Sequence, residues 1–213
     1  GCGNTLNSNH PFVTQFTVSC LEFWVRDMHV DGFRFDLASA LARGESGEPM
    51  YHAPVLWAIE FSRSMLRTKI IAEAWDAAGL YQVGYFPGHR WKEWNGLFRD
   101  DLRRFLRGDE GLVGRVAQRL AGSRDLYGND GRLPTSSINF ITAHDGFTLN
   151  DLYSFHGKYN EANGEENRDG CSDNISFNCG FEGDTDDPKV QTLRRQQIKN
   201  ALALLFLSQG VPM

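Results

Sequence analysis

Three acidic residues, Asp36, Glu73 and Asp145, each follow a short apolar run of the kind that forms a strand. In Gly32-Phe33-Arg34-Phe35-Asp36, two aromatics alternate with a guanidinium and a carboxylate. A strand over 33–37 therefore points Phe33 and Phe35 one way and Arg34 and Asp36 the other. Burying such a pair is costly unless its surroundings hold both groups in place. It suits two readings: an ion pair that ties a strand to its neighbours, or a carboxylate kept ionised for chemistry. Lys69-Ile70-Ile71-Ala72-Glu73-Ala74-Trp75-Asp76 embeds one carboxylate in an apolar run, as a buried parallel strand does when its end carries a functional group. A third strand over Ser137–Ala143 delivers His144-Asp145-Gly146.

The intervals from Asp36 to Glu73 and from Glu73 to Asp145 are 37 and 72 residues. They approximate one and two βα units of roughly 35 residues, which places the three acids around one rim of a barrel. Two carboxylates at a shared site suit glycosyl transfer, one attacking the anomeric carbon and the other protonating the leaving oxygen. Ile71, Ala72, Ala74 and Trp75 should raise the pKa of Glu73 and keep it protonated, as an acid needs. Arg34 should keep Asp36 ionised, as a nucleophile needs. Any one of the three equally suits a capping or structural acid. Three at matched strand ends do not.

The elements that must position these groups follow from periodicity and turn chemistry. Pro11 suits the first turn of a helix running to about residue 28, with Phe12, Phe16, Cys20, Trp24 and Met28 recurring inward and Val13, Leu21 and Val25 beside them. Residues 40–52 read as a loop and 54–67 as a helix with Val55, Leu56, Ile59, Met65 and Leu66 inward. A brief strand is expected near 91–95, helices over 98–107, 112–121 and 190–207, and another strand from Gly210. Trp24 and Trp57 are expected in the core. Trp91 and Trp94 suit either core packing or stacking on sugar rings. Residues 156–188, rich in Asn, Asp, Glu and Gly, are long enough to be a functional loop. Strands separated by helices imply βαβ units and a parallel sheet in one domain over residues 1–213, with no repeat or dividing linker. No G-x-G-x-x-G follows a strand, so a dinucleotide fold lacks its usual support. Acids at the C-terminal ends of three strands are where a (β/α)8 barrel keeps its chemistry.

Composition bounds the partners. The 213 residues are 41% hydrophobic and 23% charged, ordinary for a globular core, and the net charge of −5 comes with scattered Lys and Arg. That argues against nucleic acid or an anionic membrane and is compatible with a neutral ligand. Cys2, Cys20, Cys171 and Cys179 have no C-x-x-C pairing and read as reduced thiols of an intracellular protein. The acids of 160–187 do not fit an EF-hand spacing, so no metal is expected. No signal peptide or membrane-spanning run is recognisable.

Asp31-Gly32-Phe33-Arg34-Phe35-Asp36, Ala72-Glu73-Ala74-Trp75-Asp76 and Thr142-Ala143-His144-Asp145-Gly146 resemble conserved regions two, three and four of the α-amylase superfamily, glycoside hydrolase family 13. More narrowly the chain resembles the isoamylase and glycogen-debranching branch. Added matches are Gly1-Cys2-Gly3-Asn4-Thr5, Gly79-Leu80-Tyr81-Gln82-Val83-Gly84 after Trp75-Asp76, Glu93-Trp94-Asn95-Gly96, His144-Asp145-Gly146-Phe147-Thr148-Leu149, Asn163-Gly164-Glu165 and Ser208-Gln209-Gly210-Val211-Pro212-Met213.

The resemblance implies an α/β fold, the C-terminal part of a (β/α)8 TIM barrel from about strand 4 to strand 8. It implies Asp36 as nucleophile, Arg34 as its support, Glu73 as general acid/base, and Asp145 with His144 gripping the sugar, with Trp75 and Trp94 as further substrate-binding residues. The implied reaction is retaining hydrolysis of α-1,6 branch linkages in glycogen, amylopectin or limit dextrins, with no metal or organic cofactor. The alternatives are a non-catalytic glucan-binding or regulatory subunit on the same barrel, and an enzyme acting on α-1,4 bonds. The implied compartment is the cytoplasm, or the plastid stroma in a plant or alga. The family's first conserved region and first strands have no match within the chain. Residues 1–213 alone are therefore expected to show little activity and poor solubility.

Overall fold

The structure, a computed structural model, describes residues 4–213. Gly1, Cys2 and Gly3 of the opening motif lie outside them. The main elements in chain order are α1 (Pro11–Arg26), β1 (Gly32–Phe35), α2 (Pro54–Phe61), β2 (Lys69–Ala72), β3 (Lys92–Trp94), α3 (Gly96–Arg107), α4 (Val113–Leu120), α5 (Arg124–Tyr127), β4 (Ser137–Asn139), α6 (Pro188–Leu207) and β5 (Val211–Pro212). β1, β2, β3 and β4 pair in that order and in parallel, with Phe35 opposite Ala72, Ala72 opposite Glu93 and Glu93 opposite Ser137. The chain is an α/β fold with a parallel sheet, as the alternation of strands and helices anticipated.

Contacts divide the chain into two compact units. The first runs to Trp94 and takes in Leu126–Ile138; the second comprises Asn95–Asp125 and Asn139–Met213. In the first, Val55, Leu56 and Ile59 of α2, Ile70 and Ala72 of β2, and Trp91 form a buried core against which Phe33 and Phe35 of β1 pack. Trp91 takes the core role of its two expected ones, and Phe35 meets its ring edge-on at 4.9 Å. In the second, Phe98 and Leu102 of α3, Val116 of α4, Ile141, Leu152 and Ala201 and Leu205 of α6 are buried together.

α1 begins as expected, with Pro11 in its first turn and His10 Nδ1 accepting the Phe12 N–H at 3.2 Å. Its facing differs. Val18, Leu21 and Val25 pack on the core, whereas Phe12, Phe16, Cys20, Trp24 and Met28 are exposed, Phe12 by 73%. A four-residue step turns the helix about 40° past a full circle, so a row built on it drifts around the helix. The 18, 21, 25 spacing keeps one heading, and that stripe is the partly buried one that packs on the core.

α2 is shorter than expected: it stops at Phe61, a 3₁₀ turn over Arg63–Met65 follows, and Leu66 is exposed instead of inward. Trp57 is half-buried and stacks on exposed Phe61 at 5.5 Å rather than lying in the core. β1 ends at Phe35 because Leu37 turns into the left-handed region (φ 42°) and opens a 3₁₀ turn over Ala38–Ala42. β4 ends at Asn139, so the strand expected as far as Ala143 gives way to a loop before His144.

Under the sheet lies a buried ion pair that the sequence did not announce. The Glu93 carboxylate, fully buried on β3, meets Arg132 Nη1 at 2.6 Å and accepts the Gly84 N–H at 2.5 Å and the Phe86 N–H at 3.3 Å. Arg132 also lies over the Tyr127 ring at 5.0 Å. Burial pushes the Glu93 carboxyl above its ordinary range, and the Arg132 charge works against that push. Removing one partner strands the other charge in a dry site. Arg132→Met in the full-length protein is expected to cost about 3–5 kcal/mol by urea denaturation. Arg168→Ala, which breaks the exposed 3.5 Å contact with Glu166, is expected to cost under about 1 kcal/mol.

Candidate active site

Parallel register brings two of the predicted residues together. Phe35 lies opposite Ala72, so Asp36 and Glu73, each one residue further on, leave neighbouring strand ends side by side. The ladder runs past the strands: the Glu73 N–H donates to Phe35 O at 3.0 Å and the Ala38 N–H to Glu73 O at 2.9 Å. Arg34 joins the two carboxylates. Its Nη1 donates to Asp36 Oδ1 at 2.7 Å, and its Nη2 lies 2.9 Å from Glu73 Oε1 as an ion contact without hydrogen-bond alignment. The guanidinium is backed by the Trp94 ring of β3, 4.1 Å from its centroid.

The two acids stand in opposite environments. Glu73 is only 2% exposed, and its Oε2 accepts the Leu37 N–H at 2.7 Å. Burial pushes its carboxyl above the ordinary range and the neighbouring Asp36 charge pushes the same way, while the Leu37 hydrogen bond and Arg34 pull it down. Asp36 is 69% exposed and pairs with Arg34.

Just after Glu73, half-buried Trp75 stacks on Tyr81 at 5.9 Å and 10° between planes. Asp76 sits at the head of the intervening turn. Its Oδ1 accepts the Ala78 and Leu80 N–H groups at 2.9 and 3.0 Å, and Arg43 grips both of its oxygens at 2.5 and 3.2 Å. The Arg43 hydrogen bonds hold the Asp76 carboxyl below the ordinary range.

His144 and Asp145 belong to the second unit. Both are exposed, Asp145 by 63%, with His144 Nε2 3.4 Å from Asp145 Oδ1. Their loop is built by long-range bonds. Asn174 Oδ1 accepts the Phe147 N–H at 3.0 Å, and buried Arg103 of α3 donates to Ile141 O and Asn174 O at 2.8 and 2.9 Å. Gly146 (φ 75°) closes the turn, where a Cβ would stand 2.4 Å from Asn174 Oδ1. The 156–188 loop is bonded through itself: Glu182 accepts from the His156 N–H, Tyr159 Oη and Asn178 Nδ2.

Comparison with known proteins matches the whole chain. It is 54% identical over 214 residues to isoamylase 3, chloroplastic, of Oryza sativa subsp. japonica, and 53% over 214 residues to the glycogen operon protein GlgX homolog of Mycobacterium tuberculosis. It is 51% identical over 214 residues to the glycogen debranching enzyme of Cronobacter sakazakii. Over its whole length the chain is similar to proteins named isoamylase and glycogen debranching enzyme. It spans only 27%, 29% and 32% of those three proteins. Among solved structures, the pullulanase from Bacillus acidopullulyticus superposes with a TM-score of 0.61 at 26% identity, covering 100% of this chain and 23% of that one. The Anoxybacillus pullulanase complexed with maltotriose gives 0.64 at 25%, covering 99% and 26%. No family model matches.

The sequence placed Arg34 with Asp36 but missed its second contact, with Glu73. It also missed Arg43 and Asp76, for which the Asp76-Ala77-Ala78-Gly79 turn pattern was the available signal. Arg103 and Asn174 act across tens of residues and left no local signal. The electrostatics generate a direct test by ¹³C NMR titration of the Glu73 carboxyl in the full-length protein. Asp36→Asn is expected to lower its pKa, because a neighbouring negative charge is removed. Arg34→Gln is expected to raise it, because the cation that favours the ionised form is gone. The same direction in both variants would contradict the arrangement.

Proposed function

We propose that the protein carrying this chain hydrolyses α-1,6 branch linkages of glycogen, amylopectin or limit dextrins by retaining double displacement. In this reading the chain supplies the C-terminal part of a (β/α)8 barrel, from about strand 4 to strand 8. The observation that carries it is one guanidinium, Arg34, held between an exposed carboxylate and a buried carboxyl at adjacent C-terminal strand ends. Similarity over the whole of this chain to parts of proteins named isoamylase and glycogen debranching enzyme supports the choice of bond. Structural likeness to a pullulanase complexed with maltotriose supports the choice of sugar.

The chemistry follows from the charges. Asp36 attacks the anomeric carbon while Glu73 gives its proton to the departing glycosidic oxygen, leaving a glucosyl ester on Asp36. Esterification removes the Asp36 charge, which had pushed the Glu73 carboxyl up, and leaves Arg34 to Glu73 alone. Both changes favour ionised Glu73, now the base that takes a proton from water as the water oxygen attacks the same carbon and frees Asp36. Trp75 offers an aromatic face to a glucose ring, and Trp94 contributes from beneath Arg34. The compartment in this reading is the plastid stroma in a plant or alga and the cytoplasm elsewhere; the rice relative is named as chloroplastic.

In the full-length protein, Asp36→Asn and Glu73→Gln are each expected to cut debranching of β-limit dextrin by about a thousandfold or more. The unaltered protein is expected to release first product as the α-anomer, read by ¹H NMR during turnover. A β-anomer, or attack on linear maltodextrin with none on branched chains, would overturn the assignment.

A further inference from the structure

Leu37 holds a backbone conformation that its side chain disfavours. Its φ of 42° and ψ of 45° lie in the left-handed region, an outlier for a bulky aliphatic residue. Such outliers persist only where the surroundings over-determine them, and they concentrate at functional sites. The chain is pinned on both sides of this one. The Glu73 N–H donates to Phe35 O at 3.0 Å and the Ala38 N–H to Glu73 O at 2.9 Å. Between these two bonds the Leu37 N–H donates to Glu73 Oε2 at 2.7 Å, the short end of the range for an amide donor.

The two oxygens of Glu73 are thereby made unequal. Oε2 faces an aligned N–H, which has a proton to share and no lone pair to receive one. Oε1 faces Arg34 Nη2 at 2.9 Å without hydrogen-bond alignment, on the side where the same guanidinium holds Asp36. In a neutral carboxyl the carbonyl oxygen is the better acceptor, and the hydroxyl oxygen carries the proton. An aligned N–H therefore selects Oε2 as the carbonyl and leaves the proton to Oε1. Arg34 and Asp36 are the charged groups that act on Glu73. Others packed nearby are committed elsewhere: Glu93, which the register puts opposite Ala72, to Arg132, and Asp76 to Arg43.

We propose that Leu37 is a positioning residue, its left-handed backbone aiming an N–H that caps Glu73 Oε2 and reserves Oε1 for the transferred proton. That proton passes from Oε1 to the glycosidic oxygen as its bond to the anomeric carbon breaks, and Oε1 later takes one from the attacking water. This role rests on the reading of Glu73 as general acid and base.

Full-length protein labelled with ¹⁵N-leucine reports the cap directly by NMR. The Leu37 amide signal is expected to titrate with the Glu73 carboxyl and to stop doing so in Glu73→Gln. It is also expected to stay protected from hydrogen exchange, relative to the unfolded-chain rate, on both sides of that titration. Loss of protection on acidification would place the proton on Oε2 and overturn the assignment; an amide that does not titrate would overturn the cap. Rates then separate backbone from side chain. An N–H donated to the ionised form favours it, so losing that bond raises the pH at which Glu73 gives up its proton. Leu37→Val, whose branched side chain resists positive φ, is expected to move the alkaline limb of kcat/KM for β-limit dextrin up by about one pH unit. Leu37→Gly, which takes positive φ freely, is expected to leave that limb in place. The reverse order, with glycine disruptive and valine harmless, would assign the effect to the side chain and overturn the proposal. A titrating Leu37 amide in a protein that cuts no α-1,6 bond would leave the cap standing and remove the proposed reaction. Debranching with a silent Leu37 amide would do the opposite.

Discussion

One guanidinium shared by two carboxyl groups is the constraint on which the first unit's chemistry depends. Asp36 and Glu73 emerge from adjacent parallel strands, and parallel register alone would leave two like charges side by side. Arg34 resolves this by contacting both, at 2.7 and 2.9 Å. A lysine ammonium could not do the same, because only the planar fork offers two fixed nitrogens to two separate partners. The Trp94 ring behind the fork leaves the guanidinium plane little freedom to turn. The position of both acids therefore depends on β3 as well as on the strands that carry them.

β3 does this with two consecutive residues. Trp94 faces Arg34, and Glu93, which the strand's pleat turns to the opposite face, is fully buried against Arg132. A buried ion pair is a poor source of net stability, since desolvation offsets most of its Coulombic gain. It is a good source of position. Glu93 accepts from Gly84 and Phe86 and so ties the irregular stretch after Trp75 to β3. No helix crosses between β2 and β3, and this carboxylate takes over part of the fixing that a packed helix would provide.

What was legible in the sequence was whatever depended on near neighbours. Arg34 and Asp36, two apart on a strand, had to share a face, and they do. Glu73 amid Ala72, Ala74 and Trp75 had to be dry, and it is. The parallel sheet followed from strands alternating with helices. The facing of α1 did not, because its apolar residues form two overlapping rows and only the core on the far side selects between them. The early end of β1 turned on Leu37, a non-glycine residue at φ 42° that no propensity rule would choose. Its conformation places an N–H against Glu73, so a locally unfavourable backbone is offset by a hydrogen bond to a carboxylate 36 residues away. The loop of Asp145 depended on Asn174 and Arg103, equally remote in sequence. In each case the missing information was long-range.

Burial separates the acids by the work proposed for them. Glu73 is 2% exposed, whereas Asp36 and Asp145 are 69% and 63% exposed. A carboxyl that must carry a proton near neutral pH needs its charge disfavoured, and for Glu73 burial is the largest cause that does so. A carboxylate that must remain charged needs the reverse, either water or a cation, and Asp36 has both. The division is not symmetrical in cost. Glu73 pays desolvation in every folded molecule, and the Leu37 N–H and Arg34 repay only part of it, since its carboxyl still sits above the ordinary range. At pH values above that raised pKa the folded state holds an unwelcome buried charge, while an unfolded chain holds a solvated one. The penalty is absent in acid, where both states are protonated, and grows as pH rises from the ordinary carboxyl range to the raised one. A structure selected for stability alone would place glutamine or leucine there. Retaining glutamate at a dry strand end beside Arg34 therefore fits a site whose requirement is a movable proton.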